Sequence, residues 1–229
     1  MQLGAGRPLP VEKPEQIDLA QAARYFGARG EPDTATRALL ERCAAPVLAA
    51  AAPRAVWLVA GVDALAEAEI LCGEDVQKHL EGCAEAILLA VTLGAGVDAQ
   101  IRRAGIGDIA AGVASDALGS ALAEQAADAA EAELRNEMAR QGKYLTGRFS
   151  PGYGDWDIGV QKRVAAALDT PRRAGLCVTD ADLMTPRKSV TALLGVSGHP
   201  VKGRLAGCGH CVLRQRCEYR KRGKTCASE

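Results

Sequence analysis

The sequence predicts an α+β fold in which a mostly antiparallel, twisted sheet packs against long helices. Segments with a helical period and short β-rich apolar runs follow one another irregularly, without the strict alternation of a parallel sheet. Aromatic residues make up only 3% of the chain and alanine is abundant, so we expect helices that approach closely through small side chains. The 229 residues suffice for one domain and a small appendage.

Two helices are expected near the N-terminus. Residues 1–15 hold three prolines and no period, which is typical of an extended arm. A helical stripe runs over residues 17–27 and ends at Gly27, a usual helix terminator. A second helix is predicted over residues 34–51, with Asp33 as its N-cap.

The next part of the chain predicts strands and one short helix. Residues 55–62 form a β-rich apolar run, and residues 68–72 are a candidate partner strand after a turn. A short helix is expected over residues 73–83. Residues 84–98 then predict a buried strand that runs out into glycines, where the backbone can come close to a ligand or to another helix.

The longest predicted helix covers residues 106–140, which keep one apolar stripe. Gly112 and Gly119 lie inside it. Since glycine destabilises a helix interior, these two residues indicate close contact with a neighbouring element.

The last third of the chain changes in texture. A loop rich in glycine, proline and aromatic residues covers 148–159, and a helix is expected over 161–169. Strands are predicted at 176–180 and 189–197. We therefore expect a domain over 16–200, between the N-terminal arm and a distinct tail.

Charge and hydropathy exclude several classes of function. Lys+Arg and Asp+Glu are both 28, so the chain as a whole has no field that gathers nucleic acid or anionic membrane. The N-terminus has neither a signal-peptide nor a transit-peptide pattern, and the apolar stretches are too short or too interrupted to cross a bilayer. We expect a cytoplasmic protein.

Eight cysteines fall into two groups. Without a secretory context a disulfide scaffold is disfavoured, because cytosolic thiols stay reduced. Four cysteines are scattered through apolar segments and are expected to be buried small hydrophobes: Cys43, Cys72, Cys83 and Cys177. The other four crowd the C-terminal end.

Three residues of the loop 148–159 suggest a ligand site. Arg148, followed by Gly152 and Tyr153, places a guanidinium that can clamp a carboxylate beside a glycine turn and an aromatic face. A small zwitterion with a ring fits such a surface. The alternative interpretation of the same residues is an ordinary surface turn that is capped by an arginine.

The order of the motifs resembles the activation domain of vitamin B12 (cobalamin)-dependent methionine synthase, in its short, freestanding form. That family has an Arg-x-x-x-Gly-Tyr loop before a helix, then a Gly-x-x-Leu-Thr-Glu strand and a Met-x-Pro-x-x-Ser-Val segment. In the family, a long helix with an aspartate and a later glutamate precedes the loop. Here the long helix before the loop carries Asp116 and Glu124. The matching residues from the loop onward are Arg148, Gly152, Tyr153, Gly175, Val178, Thr179, Asp180, Met184, Pro186, Ser189 and Val190.

The resemblance is good over residues 106–197, vaguer over 17–105 and absent at both ends. This sequence departs from the family at Phe149-Ser150-Pro151, where full-length synthases have Pro-Ala, and at Asp180, which replaces a glutamate. Ser120 falls near a position where the synthases carry an acidic ligand contact. The 229 residues leave no room for the synthase's homocysteine, folate or cobalamin modules.

The resemblance implies an S-adenosylmethionine site but no catalytic side chain, since the protein would supply position. Arg148 would clamp the methionine carboxylate of the ligand. The expected binding residues are Arg148, Ser150, Pro151, Gly152, Tyr153, Asp116 and Glu124, and the residues expected to face cobalamin are Met184, Pro186, Lys188 and Ser189. Arg187 and Lys188 form a charged turn, which is either solvated or faces the corrinoid's amide and phosphate groups.

The implied function is that of an accessory protein for reductive reactivation, by methylation, of cobalamin. The cobalamin would be bound by a partner, either a methionine synthase or a related corrinoid protein. Alone, the chain would not catalyse the full methyltransferase reaction of methionine biosynthesis. The alternative is a metal-knuckle interaction module without S-adenosylmethionine chemistry.

The tail, residues 201–229, predicts a metal site. Its thiolates are close enough in sequence to surround one centre: Cys208, Cys211, Cys217 and Cys226. Four sulfurs suit either tetrahedral zinc or an iron–sulfur cluster, with His210 as a substitute fourth ligand. An electron-transfer role favours the cluster, and unmetallated thiols are the remaining reading. The tail is also basic, which favours docking of an acidic flavodoxin, ferredoxin or corrinoid protein over nucleic acid.

Overall fold

A five-stranded antiparallel sheet lies at the centre of the computed structural model, which describes residues 3–201. Its strand order is β1-β2-β3-β7-β4, and β5 and β6 form a separate antiparallel pair. The strands are β1 Arg7–Leu9, β2 Arg54–Gly61, β3 Glu85–Thr92, β4 Tyr144–Leu145, β5 Cys177–Val178, β6 Met184–Thr185 and β7 Ser189–Ser197. The prediction of an α+β fold with a mostly antiparallel sheet and long helices is confirmed.

Helices cover both faces of this sheet. They are α1 Leu19–Phe26, α2 Thr34–Ala50, α3 Val62–Glu67, α4 Glu74–His79, α5 Ala95–Gly107, α6 Ile109–Arg140, α7 Gln161–Leu168 and α8 Thr170–Arg173, with a 3₁₀ turn at Ile158–Val160. The predicted caps of the first two helices are confirmed. Gly27 ends α1 in the left-handed conformation, and the side chain of Asp33 accepts a hydrogen bond from the Thr36 amide at 2.7 Å.

The central strand β3 is buried on both of its faces. Ile87 and Leu89 point to a core formed with α1, α2, α5 and α6. Leu88 and Ala90 point to a second core, which contains Trp156 and the buried side of α7. The continuous apolar run in the sequence follows from this position, because a strand that is covered on both faces needs no polar alternation.

Helix α6 packs along the sheet through alanine and glycine. Its buried residues include Ala114, Ala117, Ala121, Ala126 and Ala130. A Cβ atom on Gly112 would lie 2.7 Å from the Gly105 Cα of α5, and one on Gly119 would lie 3.1 Å from Lys188 Cε. The prediction that both glycines mark close contacts is therefore confirmed.

One expectation about strands is wrong. Residues 68–72 form no strand, because Ile70 and Leu71 turn into the second core and the Ile70 carbonyl accepts a hydrogen bond from the Trp156 indole at 2.8 Å. The buried strand expected to run out into glycines is confirmed as β3, which ends at Thr92, and Gly94 then begins α5 with a positive φ.

The helix predicted over 106–140 is divided at Asp108. This residue ends α5, and its carboxylate accepts hydrogen bonds from the Ala110 and Ala111 amides to begin α6. Burial of all four scattered cysteines is also a wrong prediction, because Cys72 and Cys177 are exposed. Within residues 3–201, no helix combines the length and apolarity that crossing a membrane requires.

The contact between α5 and α6 yields a stability prediction. Alanine at Gly112 would place a methyl group against the Gly105 backbone, which can yield only if the helices separate. We expect Gly112→Ala to lower the free energy of unfolding by about 1–2 kcal/mol, although alanine favours a helix interior. Denaturant unfolding measures this difference.

Gly107→Ala is the matched control, because nothing lies within 4 Å of a Cβ atom at that position. It should leave the free energy of unfolding unchanged or raise it by up to about 1 kcal/mol. Equal stability of the Gly112→Ala protein and the wild type would contradict the close approach.

Candidate functional site

The loop 148–159 continues the edge of the sheet. Backbone hydrogen bonds join Phe149 and Leu193 in both directions, at 2.9 and 2.8 Å. The Arg135 guanidinium donates to the carbonyls of Leu145 and Thr146 at 2.8 and 2.6 Å, which ties the approach to the loop onto α6. Nonlocal contacts therefore fix the loop at its start.

A tight turn follows at Gly152. This residue has φ +91°, which favours glycine, and its amide donates to the Trp156 carbonyl at 2.7 Å. The Tyr153 amide donates to the Ser150 carbonyl at 3.0 Å. Trp156 is buried, so it anchors the far side of the turn. Tyr153 remains 43% exposed and packs edge-on against Phe149.

Arg148 turns toward α6. Its Nη2 atom lies 2.7 Å from an Asp128 carboxylate oxygen and 3.2 Å from one of Glu124, and its Nη1 atom lies 3.2 Å from one of Glu131. The side chain is only 16% exposed. Nη1 is buried without hydrogen-bond geometry to Glu131, so that contact is an ion pair alone. Three carboxylates of one helix thus hold the guanidinium.

This arrangement bears on the expected carboxylate clamp. A hydrogen bond to a charged group contributes about 1.5–3 kcal/mol, and a ligand carboxylate at Arg148 would have to displace one that is already there. The exchange would gain little and would add a negative charge beside Glu124, Asp128 and Glu131. The geometry therefore supports a role for Arg148 in attaching the loop to α6.

Glu124 joins this network to an open cleft. Its burial raises the pKa of its carboxyl group, and the adjacent Arg148 guanidinium opposes that rise while Asp128 adds to it. Burial raises the pKa of the nearby Tyr25 phenol, and Glu124 contributes to that rise. Glu124 is therefore a partly desolvated acceptor that faces the cleft.

The cleft has a volume of about 550 Å³ and lies between the loop, α6, the start of α7 and the first residues of β7. It is open to solvent. Its lining consists of Glu124, Ser150, Pro151, Tyr153, Ile158, Gln161, Thr179, Asp182, Leu183, Met184, Thr185, Arg187, Ser189, Val190 and Thr191. The charged members are Glu124, Asp182 and Arg187, and Asp182 is paired with Lys162 at 3.2 Å.

The structure brings six of the predicted binding and cobalamin-facing residues together around the cleft: Glu124, Ser150, Pro151, Tyr153, Met184 and Ser189. Five others lie outside its lining: Asp116, Arg148, Gly152, Pro186 and Lys188. Sequence reasoning missed the polar floor that Gln161 and Thr191 form, at 4% and 2% exposure. A threonine inside the apolar run of β7 was the available signal.

In the charged turn at Arg187 and Lys188, one side chain is exposed and the other is buried. The Lys188 side chain is 8% exposed, and its ammonium lies 2.9 Å from Ser120 Oγ and 3.0 Å from Asp116 Oδ1. The expectation that Lys188 is a solvated or cobalamin-facing residue conflicts with this burial against α6. Arg187 is 68% exposed and lines the cleft.

Pro186 is buried, and its carbonyl accepts a hydrogen bond from Ser189 Oγ at 2.7 Å, so it supports the turn below the cleft. Gly152 likewise shapes the loop without lining the cleft. The metal ligands predicted in the tail, Cys208, Cys211, Cys217 and Cys226, lie outside the described residues.

Comparisons with known proteins bear on the fold. No protein-family model matches the chain, and no curated protein matches it. Among solved structures, the MetH reactivation domain bound to AdoHcy matches with a TM-score of 0.55 over 98% of this chain and 87% of that chain, at 15% sequence identity. At this identity the likeness shows a shared fold of the reactivation-domain type and nothing finer.

The contact between Arg148 and Glu124 yields a prediction about proton binding. Arg148→Met removes the cation that opposes the burial of Glu124, so the pKa of this carboxyl group should rise further above its ordinary value. A ¹³C NMR titration of the glutamate carboxyl groups measures the shift. Arg42→Met is the control, because Arg42 pairs with Asp108 at the other end of α6.

The raised pKa of Glu124 also makes the stability of the protein depend on pH. A raised pKa in the folded state means that the folded protein binds the proton more tightly, so Glu124 lowers stability as pH rises from its ordinary pKa through the raised one. Glu124→Gln should remove this decline from the stability curve. An unmoved Glu124 pKa in the Arg148→Met protein would contradict the ion pair.

Proposed function

We propose that this protein binds S-adenosylmethionine in the cleft beside Tyr153. The observation that carries the proposal is the cleft itself, whose wall is the turn that Ser150, Pro151 and Tyr153 form. The shared fold with a domain crystallised with AdoHcy supports the choice of ligand class. The lining offers a backbone turn, one aromatic face and a polar floor, which suit a nucleoside with a polar tail.

The charges of the cleft support the same ligand. S-adenosylmethionine carries a sulfonium, an ammonium and a carboxylate. Glu124 faces the cleft, where its carboxylate can accept a hydrogen bond from the ammonium or stabilise the sulfonium by its charge. Arg187 provides a cation in the same lining. A ligand with both signs of charge fits a site that presents both signs.

The proposed role is that of an accessory protein in the reductive reactivation of cobalamin. The cobalamin would belong to a methionine synthase or a related corrinoid protein, and S-adenosylmethionine would supply the methyl group. This chain would hold the ligand and orient its sulfonium toward the open side of the cleft. The exposed side chains of Tyr153, Ile158 and Leu183 at that side offer an apolar rim for the partner.

The C-terminal tail extends the proposal. Cys208, Cys211, Cys217 and Cys226 would hold an iron–sulfur cluster that receives an electron from a flavodoxin or ferredoxin, or else a structural zinc. Metal analysis with a visible absorption spectrum of anaerobically purified protein separates the two. Stoichiometric zinc without visible absorption would reject the cluster.

A second candidate function has one observation in its favour. The three carboxylates around Arg148 suit a loop whose role has become structural, in a metal-knuckle interaction module that binds no S-adenosylmethionine. The open cleft beside Tyr153 favours the first candidate, because a purely structural loop needs no cavity. Ligand binding discriminates between them directly.

Isothermal titration calorimetry tests the leading proposal. We expect the protein to bind S-adenosylmethionine with a measurable heat. Tyr153→Ala should weaken binding about fivefold, the scale of one aromatic contact, and Tyr153→Phe should retain most of the affinity. Tyr144→Ala is the matched control, since Tyr144 has similar exposure, 47% against 43%, and does not line the cleft.

The absence of binding at millimolar ligand would remove the basis of this function. Equal affinity of the wild type and the Tyr153→Ala protein would instead move the ligand away from this cleft. Circular dichroism of each variant confirms that the fold is intact before affinities are compared.

A further inference from the structure

We infer that Arg187, and not Arg148, binds the carboxylate of the amino-acid ligand, which makes Arg187 the residue that selects ligands with a free carboxylate. This inference rests on the proposed function. It departs from the expectation that the Arg-x-x-x-Gly-Tyr motif provides the carboxylate clamp. The two arginines differ in where their guanidinium groups lie and in what already occupies them.

Arg187 is the one cation among the residues that line the cleft in the described part of the chain. Its side chain is 68% exposed, and its ion pair with Asp116 is long, at 3.5 Å. Asp116 lies closer to the buried Lys188 ammonium, at 3.0 Å. Lys188 is therefore the main partner of Asp116. The Arg187 guanidinium keeps N–H donors for a second carboxylate.

The backbone that carries Arg187 is held from several sides. The Arg187 amide donates to the Asp98 carboxylate at 2.8 Å, and the Lys188 carbonyl accepts from the Leu93 amide at 2.9 Å. Ser189 Oγ donates to the Pro186 carbonyl at 2.7 Å and lies within hydrogen-bond distance of the Thr92 hydroxyl, at 2.8 Å. Because the backbone is already fixed, carboxylate binding has to order only the Arg187 side chain.

Arg148 has the opposite properties. It is 16% exposed, and Glu124, Asp128 and Glu131 already surround it. One of these, Glu124, faces the cleft and would repel an incoming carboxylate at that end. The ligand is therefore expected to place its ammonium toward Glu124 and its carboxylate toward Arg187. Arg148 acts as a positioning residue, through the loop and Glu124.

The test compares two ligands that differ by one group. S-adenosylmethionine carries the carboxylate, and decarboxylated S-adenosylmethionine keeps the adenosine, sulfonium and amine without it. We expect Arg187→Met to weaken binding of S-adenosylmethionine about tenfold, at the low end for a charged hydrogen bond because the site is exposed. Its affinity for the decarboxylated ligand should stay within about twofold of the wild type, since no carboxylate is lost.

Three further variants complete the design. Arg187→Lys keeps the charge without the fork and should restore part of the tenfold loss. Arg42→Met is the matched control, because Arg42 is 66% exposed and pairs with one aspartate at 3.2 Å, remote from the cleft lining. Arg148→Met should affect both ligands alike, since it acts on the loop.

The outcomes separate the proposals. Equal effects of Arg187→Met on the two ligands, or no effect on either, would overturn the assignment of Arg187. A loss confined to S-adenosylmethionine in the Arg148→Met protein would return the clamp to Arg148. If the wild-type protein binds neither ligand, the proposed function itself fails.

Discussion

The ion pairs between Arg148 and α6 are the constraint on which the candidate site depends. The Arg135 guanidinium ties the approach to the loop onto α6, and Arg148 attaches the loop 148–153 itself to the same helix. Removing one partner from a buried ion pair costs about 3–5 kcal/mol, and exposure of Asp128 reduces that figure here. The network fixes the wall of the cleft, and the tight turn at Gly152 then presents Tyr153.

Local sequence patterns predicted much of the secondary structure. Asp33 and Gly27 fix helix ends through contacts within a few residues, so their identity predicts their role. Gly112 and Gly119 were informative for another reason, since only a close neighbour explains glycine inside a long helix. The loop motif and the segment after it likewise predicted five residues that line one cleft, and Glu124 of the preceding helix is a sixth.

Nonlocal contacts decided what the sequence could not. Ile70 is apolar because it lies beneath Trp156, 86 residues away, and this burial imitated a strand. The partners of Arg148 are acidic residues of α6. The loop motif alone does not distinguish an arginine that binds a ligand carboxylate from one that pairs with carboxylates of its own chain. Burial of Lys188 and exposure of Arg187 also depend on which of two adjacent cations lies closer to Asp116.

A shared fold at 15% identity does not determine the roles of single side chains. Function depends on the side chains that meet at the site. In this chain the charges divide between two arginines. One attaches the loop to α6, and the other is exposed and lines the same cleft as Glu124. A ligand would be positioned between them.

A crystal structure of the protein with S-adenosylhomocysteine tests this account most directly. The account requires ligand density between Tyr153 and β7, with the ligand carboxylate on Arg187 and with Arg148 still paired to α6. Density elsewhere on the molecule, or an Arg148 that has left Glu124 and Asp128 to hold the ligand carboxylate, would contradict it.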